Sequence, residues 1–487
     1  MVGRVMHKIA EKKWSENIFK AYDIRGKYPG EINEDAAYRI ARAFARYLKL
    51  GNADGRLLKI AVSADARASS PSLKEAFLEG LENENVEIID AGITTTPMHY
   101  FIVNRAEADG GAMITASHNP AVFNGVKLCK KGAVPIGEGA GMGEIKGDAV
   151  RGIFAAAGEA AHSEKIKIEL KRKDFLDEYI NFFEEKFPEL KTHGLKLSAC
   201  MGNGMATILL PKLFKKFPKI KVKFIHSELD MTFPNHEANP LKAENLKDIQ
   251  NEAEIGDQDA GVSFDGDGDR VGFVDEKGDI IPGDIVTALL ARYFTWKPDF
   301  QMETGFPVVY DLRSSRAVRE EIERYGMRAV ESRVGHAFIK ALMRKENAVF
   351  GGEVSGHYYF RDFFFCDSAV FAVLAVLDLM RIEKKPLSEL VEPLMRYAKS
   401  GEINFEVQNK DKAMDVIAAQ FQDGRVSYLD GIKVEYWDES IPPVKRWWFN
   451  LRPSNTEDLI RLNLEAATPE LLEKKKKLLE ELLREQG

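Results

Sequence analysis

The chain has 487 residues, 45% hydrophobic and 30% charged, which places it among ordinary globular proteins; at about 150 residues per domain, this length predicts roughly three domains. Lys and Arg number 69 against 76 Asp and Glu, a net charge of −7 that gives no support to a general nucleic-acid or anionic-membrane surface. The three cysteines, at 129, 200 and 366, are too widely spaced for a compact Cys-rich zinc site or a disulfide framework. With no signal-peptide core after Met1 and no run of about 20 apolar residues, the expected setting is a reducing cytoplasm, with no membrane span.

In chain order, residues 34–50 predict a helix, with Ala36, Ile40, Phe44 and Leu48 on one face. A strand at 57–63, a helix at 70–84, a strand at 86–89 and a helix at 96–107 follow. The next strand, 111–114, delivers Thr115–Pro120 as a loop that is expected to continue through Phe123–Lys127. This alternation predicts an α/β layer with crossover connections and active groups on loops after strand ends. Gly-rich residues 137–158 blur the pattern, and a boundary is expected near 162, before a charged helix at 171–187. A second alternation has strands at 194–199, 222–226 and 261–264 and a helix at 205–217. The third has a helix from Gly283, strands at 308–311, 328–331 and 348–351, and helices at 315–325, 336–345 and 366–383. The tail differs: strands at 403–407, 426–428, 431–435 and 445–450 with helices at 409–420 and 469–485 predict a smaller α+β domain. The expected domains are 1–162, 163–279, 280–396 and 397–487.

Four short runs carry chemistry. Thr115-Ala-Ser117-His118-Asn-Pro120 offers a hydroxyl nucleophile in a loop stiffened by proline, with His118 placed to orient a phosphoserine; by itself the run also describes an ordinary Ser/Asn/Pro turn. Lys127 can approach the same phosphate, or accept a proton if its pKa falls. Asp265-Gly-Asp267-Gly-Asp269-Arg270 alternates carboxylates with turn-permitting glycines, a donor set for a hard cation such as Mg2+, and Arg270 would oppose phosphate charge. A calcium loop of the EF-hand type is excluded, because Arg270 stands where its glycine is needed. In Gly352-Glu353-Val-Ser355-Gly-His357, Glu353 and Ser355 can bind vicinal hydroxyls while His357 is suited to phosphate or a proton. Arg452-Pro-Ser454-Asn455-Thr456-Glu457 offers a guanidinium fork and neutral donors for a phosphate.

Together these runs resemble the alpha-D-phosphohexomutase superfamily, in particular its bacterial and archaeal phosphomannomutase/phosphoglucomutase group, over nearly the whole chain from Ala21-Tyr-Asp-Ile-Arg25-Gly to Arg461-Leu-Asn-Leu-Glu465. The resemblance implies three related mixed-sheet α/β domains plus a mobile C-terminal α+β domain around a central cleft. It implies a phosphorylated Ser117 as donor and metal ligand, with Asp265, Asp267 and Asp269 holding magnesium. Arg25, Lys127, Arg270, His336 and His357 match cleft residues that handle charge or protons. Glu353 and Ser355 match sugar readers, and Arg313, Arg452, Ser454, Asn455 and Thr456 match substrate and phosphate binders. The implied reaction interconverts hexose 1- and 6-phosphates through a hexose 1,6-bisphosphate, with small phosphosugars as partners; a monomer is expected, since four domains already enclose the site and no coiled-coil pattern occurs. An amino-sugar phosphate mutase is the alternative, disfavoured by Asn455 where those relatives more often carry glycine; a non-catalytic sugar-phosphate binder would have no need of Ser117 and three aspartates. Two departures stand out: Ala199-Cys200 where an aspartate is usual, and Asp458 where proline is usual.

Overall fold

Apolar strands joined by amphipathic helices build three successive sheets, each buried on both faces. A computed structural model describes residues 13–52, 55–152, 170–298, 304–407, 409–453 and 459–485. The first sheet holds β1 (Ile24–Lys27), β2 (Lys59–Ala64), β3 (Glu87–Ile93), β4 (Gly110–Ile114), β5 (Phe123–Lys130), β6 (Val134–Pro135) and β7 (Leu170–Arg172), in the order β1-β5-β4-β2-β3-β7 with β6 beside β5. The second holds β8 (Leu195–Cys200), β9 (Ile220–Ile225), β10 (Ala260–Phe264), β11 (Val271–Asp275) and β12 (Ile280–Ile281), in the order β12-β11-β10-β8-β9. The third holds β13 (Pro307–Asp311), β14 (Arg328–Ser332), β15 (Phe350–Gly352), β16 (Tyr358–Phe360) and β17 (Cys366–Asp367), in the order β14-β13-β15-β16-β17. Strand β7 lies beyond the expected boundary at 162 yet joins the first sheet, and β12, beyond 279, joins the second.

The three sheets share one plan. In each, one inner strand, β2, β8 or β13, runs parallel to both neighbours, and one of those neighbours then turns back through an antiparallel partner. Those hairpins are β4–β5, β10–β11 and β15–β16, and their turns carry the Ser117, Asp265–Arg270 and Glu353–His357 runs. The fourth sheet, β18 (Ala398–Glu406), β19 (Arg425–Ser427), β20 (Ile432–Tyr436), β21 (Trp447–Pro453) and β22 (Leu459–Ala466), is antiparallel throughout. The phosphate-loop run begins on β21, whose last two residues are Arg452 and Pro453.

Two expected elements are corrected. Phe123–Lys127 is no loop: it belongs to β5 and pairs with β4, setting Lys127 opposite Met113. Residues 205–217 do not form one helix but a 3-10 turn Met205–Ile208, a short helix Leu210–Leu213 and a second 3-10 turn Phe214–Lys216. Pro211 accounts for the break, since its ring lacks a donor and clashes with a preceding carbonyl. The helix Met142–Arg151 went unseen within the Gly-rich stretch.

One continuous apolar core runs through the first three domains. Phe101, Tyr179, Phe183 and Phe363 join them ring to ring, with successive centroids 5.3, 5.0 and 6.2 Å apart. The C-terminal domain has its own core around Phe449, Leu462 and Leu479. It meets the others through polar pairs, among them Lys399–Asp284 at 2.5 Å and the Glu465 carboxylate accepting the Arg316 N–H at 2.8 Å.

Candidate active site

The first loop hangs between β4 and β5. Ser117 is 3% exposed and has φ +52°, the left-handed region that a β-carbon disfavours. Its N–H donates to Thr115 Oγ1 at 3.0 Å, and Arg67 donates to its carbonyl at 2.7 Å. Arg67, wholly buried and 3.1 Å from Asp65, also donates to the carbonyls of Asn119, Pro120 and Phe123 at 2.7, 2.8 and 3.1 Å. One guanidinium therefore holds four carbonyls of the loop, a task its planar fork of donors suits and an ammonium does not. The sequence reading passed over this pair. A signal was present: Asp65-Ala-Arg67, directly after β2, matches Asp311-Leu-Arg313, which begins on the last residue of β13, at the C-terminal ends of corresponding strands in two sheets of one plan. In both, the arginine Nε donates to the preceding aspartate at 3.1 Å.

Ser117 Oγ donates to Asp265 Oδ2 at 3.1 Å and lies 3.2 Å from His118 Nδ1. Burial, aided by the nearby charges of Arg270 and Arg25, holds the His118 imidazole well below its ordinary pKa. The loops can meet this closely because Gly266 has no side chain: a β-carbon there would stand 2.5 Å from the Ser117 carbonyl oxygen. Arg25 reaches the same loop from β1, donating to Asn119 Oδ1 at 2.7 Å and to Asp23 at 2.5 Å.

Asp265, Asp267 and Asp269 are buried, and an oxygen from each falls within 4.8 Å of the others. Asp265 accepts from the N–H groups of Asp269 and Arg270 at 3.0 and 3.1 Å and from Arg270 Nε at 3.0 Å. Lys127 Nζ lies 2.7 Å from Asp267 Oδ2 and 2.6 Å from Asp269 Oδ2. Burial alone would lower the Lys127 pKa, but the charges of Asp267 and Asp269 raise it above the lysine range, so the fall required of a lysine base is not met here. Burial and the neighbouring Asp269 and Asp267 charges push the Asp265 carboxyl up to about 8. Asp267 Oδ1 is buried without a hydrogen-bond partner among the described residues, and Asp269 Oδ1 faces His357 Nε2 at 3.3 Å. An all-oxygen cluster short of positive charge, with acceptors to spare, fits a hard divalent cation such as Mg2+.

A cavity of about 500 Å³ opens over these groups, lined by Tyr22, Arg25, Ser117, His118, Lys127, Arg270, His336, Glu353, Ser355 and His357. Three sheets thus bring most of the sequence-predicted residues into one space. His357 Nε2 stands 3.3 Å from Asp269 and its Nδ1 lies 3.1 Å from Ser355 Oγ. Burial opposes its protonation, yet Asp269, Glu353 and Asp367 raise its pKa overall. His336 is held well below the histidine range by burial and by the charge of Lys340, and its Nδ1 has no partner among the described residues. Glu353 accepts from the Tyr359 hydroxyl at 2.8 Å. Lys340, also buried and 2.6 Å from Asp367, supports this side of the cavity. His99 is a core histidine beside Ser63 at 2.9 Å, brought down to about 3 by burial.

Arg313 and Arg452 stand farther out. Glu402 lies between them, 3.7 Å from Arg313 and 3.5 Å from Arg452, and pairs with Arg461 at 3.1 Å. Arg313 is also 3.6 Å from Glu353, so a line of charge links the sugar loop to the fourth domain. Ser454, Asn455 and Thr456, with Asp458, lie outside the described residues.

Three α/β domains whose hairpin turns gather a serine, an acidic cluster and a histidine-bearing loop, with a fourth antiparallel domain beside them, define a multidomain enzyme of the phosphoryl-transfer class. Family profiles described as phosphoglucomutase/phosphomannomutase alpha/beta/alpha domains I, II and III match residues 16–148, 177–278 and 282–397, and that of the C-terminal domain matches 402–482. The chain is 38% identical to a phosphomannomutase of Methanocaldococcus jannaschii over 94% of its own length and 95% of the relative's. It is 36% identical to a phosphomannomutase of Vibrio cholerae over 92% and 94% of the two chains. A phosphoglucomutase/phosphomannomutase family structure from Burkholderia thailandensis superposes with a TM-score of 0.83 at 28% identity, covering 97% of this chain and 98% of that one. The chain belongs to the phosphoglucomutase/phosphomannomutase family, within the alpha-D-phosphohexomutase superfamily. Phosphohexomutase activity is its general function.

Proposed function

We propose that the chain interconverts hexose 1-phosphate and hexose 6-phosphate, with mannose and glucose phosphates as substrates, through phosphoserine 117 and a hexose 1,6-bisphosphate. The observation that carries this reading is Ser117 Oγ, 3.1 Å from Asp265 on the rim of a cavity of about 500 Å³ whose lining includes Arg25, Lys127 and Arg270. Two relatives that share more than a third of their residues with this chain are named phosphomannomutases, and another, from Xanthomonas campestris and 37% identical, carries the broader name phosphohexose mutases.

In this reading the phosphoryl group leaves Ser117 Oγ for the free 1- or 6-hydroxyl of the bound sugar. The bisphosphate then turns within the cavity, and Ser117 takes back the other phosphate. Asp265, Asp267 and Asp269, with an oxygen of phosphorylated Ser117, would hold Mg2+, which when bound draws negative charge from the phosphoryl oxygens. Arg25 and Arg270 oppose the phosphate charge from two sides; Arg270 Nη2 is buried and has no partner among the described residues. His118, His336 and His357 line the cavity and carry the proton exchanges, and Lys127, held protonated by Asp267 and Asp269, serves only as a donor. Glu353 and Ser355 read the sugar hydroxyls in either orientation. Arg313 and Arg452, with Ser454, Asn455 and Thr456, grip the phosphate that is not being transferred. The cavity walls come from three domains of one chain, so the reading needs no second copy.

Interconversion of mannose 1-phosphate and mannose 6-phosphate, started with catalytic bisphosphate, tests this directly. The same assay on glucose and amino-sugar phosphates should rank the amino sugars last. Absence of turnover with every hexose phosphate would overturn the proposal.

A further inference from the structure

A second set of donors meets at the ends of β8 and β9, with chemistry opposite to that of the acidic loop. Cys200 ends β8 and pairs across the parallel ladder with Ile225, which His226 directly follows. The 231–240 segment brings in His236, whose Nε2 lies 3.4 Å from Cys200 Sγ and whose ring meets that of His226 edge-on, with centroids 5.2 Å apart. Sγ and one nitrogen of each ring fall within 4.8 Å of one another. We infer that Cys200, His226 and His236 form a binding site for a thiolate-accepting transition-metal ion such as Zn2+, distinct from the carboxylate cluster of Asp265, Asp267 and Asp269.

The partners of the two rings set them up as ligands. His236 Nδ1 is 2.8 Å from the Glu237 carbonyl, which fixes the proton there and leaves the lone pair on Nε2, the nitrogen beside Sγ. His226 Nε2 lies 2.7 Å from Asp248 Oδ2; donating there leaves its lone pair on Nδ1. An oxygen partner behind each imidazole is the usual support of a metal-binding histidine. The backbone of His226 is held at φ +48°, an unfavourable conformation for a side-chain-bearing residue, while its carbonyl accepts the Asn203 N–H at 3.0 Å. Cys200 is buried but both rings are partly exposed, so an ion has a way in and a fourth position open to water. One sulfur and two nitrogens are a poor set for Mg2+ and a good one for Zn2+. On binding, the thiol proton goes to solvent as the sulfur–metal bond forms, with no change of oxidation state. The ion would tie the second sheet to the segment whose Phe233 ring lies 5.5 Å from the Arg67 guanidinium and whose Met231 sulfur accepts the Ala66 N–H at 3.2 Å.

Cobalt(II) titration of reduced, chelator-stripped full-length protein, with excess Mg2+ covering the carboxylate cluster, tests the site. One equivalent should produce a cobalt–thiolate charge-transfer band that Zn2+ then bleaches, and Zn2+ should raise the melting temperature. Cys200→Ser should abolish the band. His236→Gln, at a partly exposed ring that folding should tolerate, should weaken cobalt binding at least about 10-fold. The inference is overturned if the parent protein shows no thiolate band, if Cys200→Ser retains it, which would put the source at Cys129 or Cys366, or if His236→Gln binds cobalt as tightly as the parent.

Discussion

At the scale of single residues, the serine loop depends on two side chains with different duties. Ser117 supplies the oxygen, and Arg67 holds the backbone that presents it. Active protein should therefore contain a fraction of chains heavier by one phosphoryl group in intact-mass spectra, and Ser117→Ala should lose both that species and multiple turnover; full turnover in the alanine variant would refute the covalent route. Arg67→Gln should act on folding as well as on rate. Removing this guanidinium leaves Asp65 buried without its cation and uncaps four carbonyls, which should cost about 3–5 kcal/mol in a urea titration. Stability within about 1 kcal/mol of the parent would mean that water or a rearranged loop replaces the clamp.

At the scale of elements, the recurring device is a turn between the last parallel strand and its antiparallel return. The turn after β4 touches the turn after β10 at Gly266, and a methyl group there would press on the Ser117 carbonyl from 2.5 Å. Gly266→Ala should leave the fold intact yet displace the serine loop by a fraction of an ångström, lowering kcat by about 10- to 100-fold. Unchanged kcat in that variant would show that the two turns need not touch. The β10–β11 turn should also make turnover depend on metal. Stripping divalent ions should abolish the reaction and Mg2+ restore it, and Asp267→Asn should blunt the restoration. Full activity after verified removal of metal would dismiss the assignment of the carboxylates.

At the scale of the whole molecule, one apolar core joins the first three domains, beside a separate core of the first around Ile40, Phe44 and Phe77, while the fourth has its own and meets the rest through polar pairs. Substrate can strengthen such an interface by bridging the basic groups now facing Glu402. Arg452→Ala should leave Ser117 able to take phosphate from excess bisphosphate while the specificity constant for a monophosphosugar falls about 30-fold or more, equivalent to about 2 kcal/mol. Parent-like kinetics would remove Arg452 from the phosphate grip.

The sequence alone determined the class of the fold and the family, and named the candidate groups of the site. Ser117, the alternating aspartates, Glu353 and Arg452 each stand in a contiguous run whose residue types imply their task, and strand–helix alternation follows from local hydrophobic period. What it left open depends on residues far apart in the chain. Lys127 sits on a strand rather than a loop because β4 offers β5 a ladder, a pairing without local signature in Phe123–Lys130. Arg67 was hidden because its partners at 117, 119, 120 and 123 lie about 50 residues downstream, and only the parallel register of β2 beside β4 brings them to it. The same holds for Cys200, His226 and His236: as residues spaced along the chain they carry no joint signal, and only the parallel pairing of β8 with β9 and the return of the 231–240 segment set their donor atoms together.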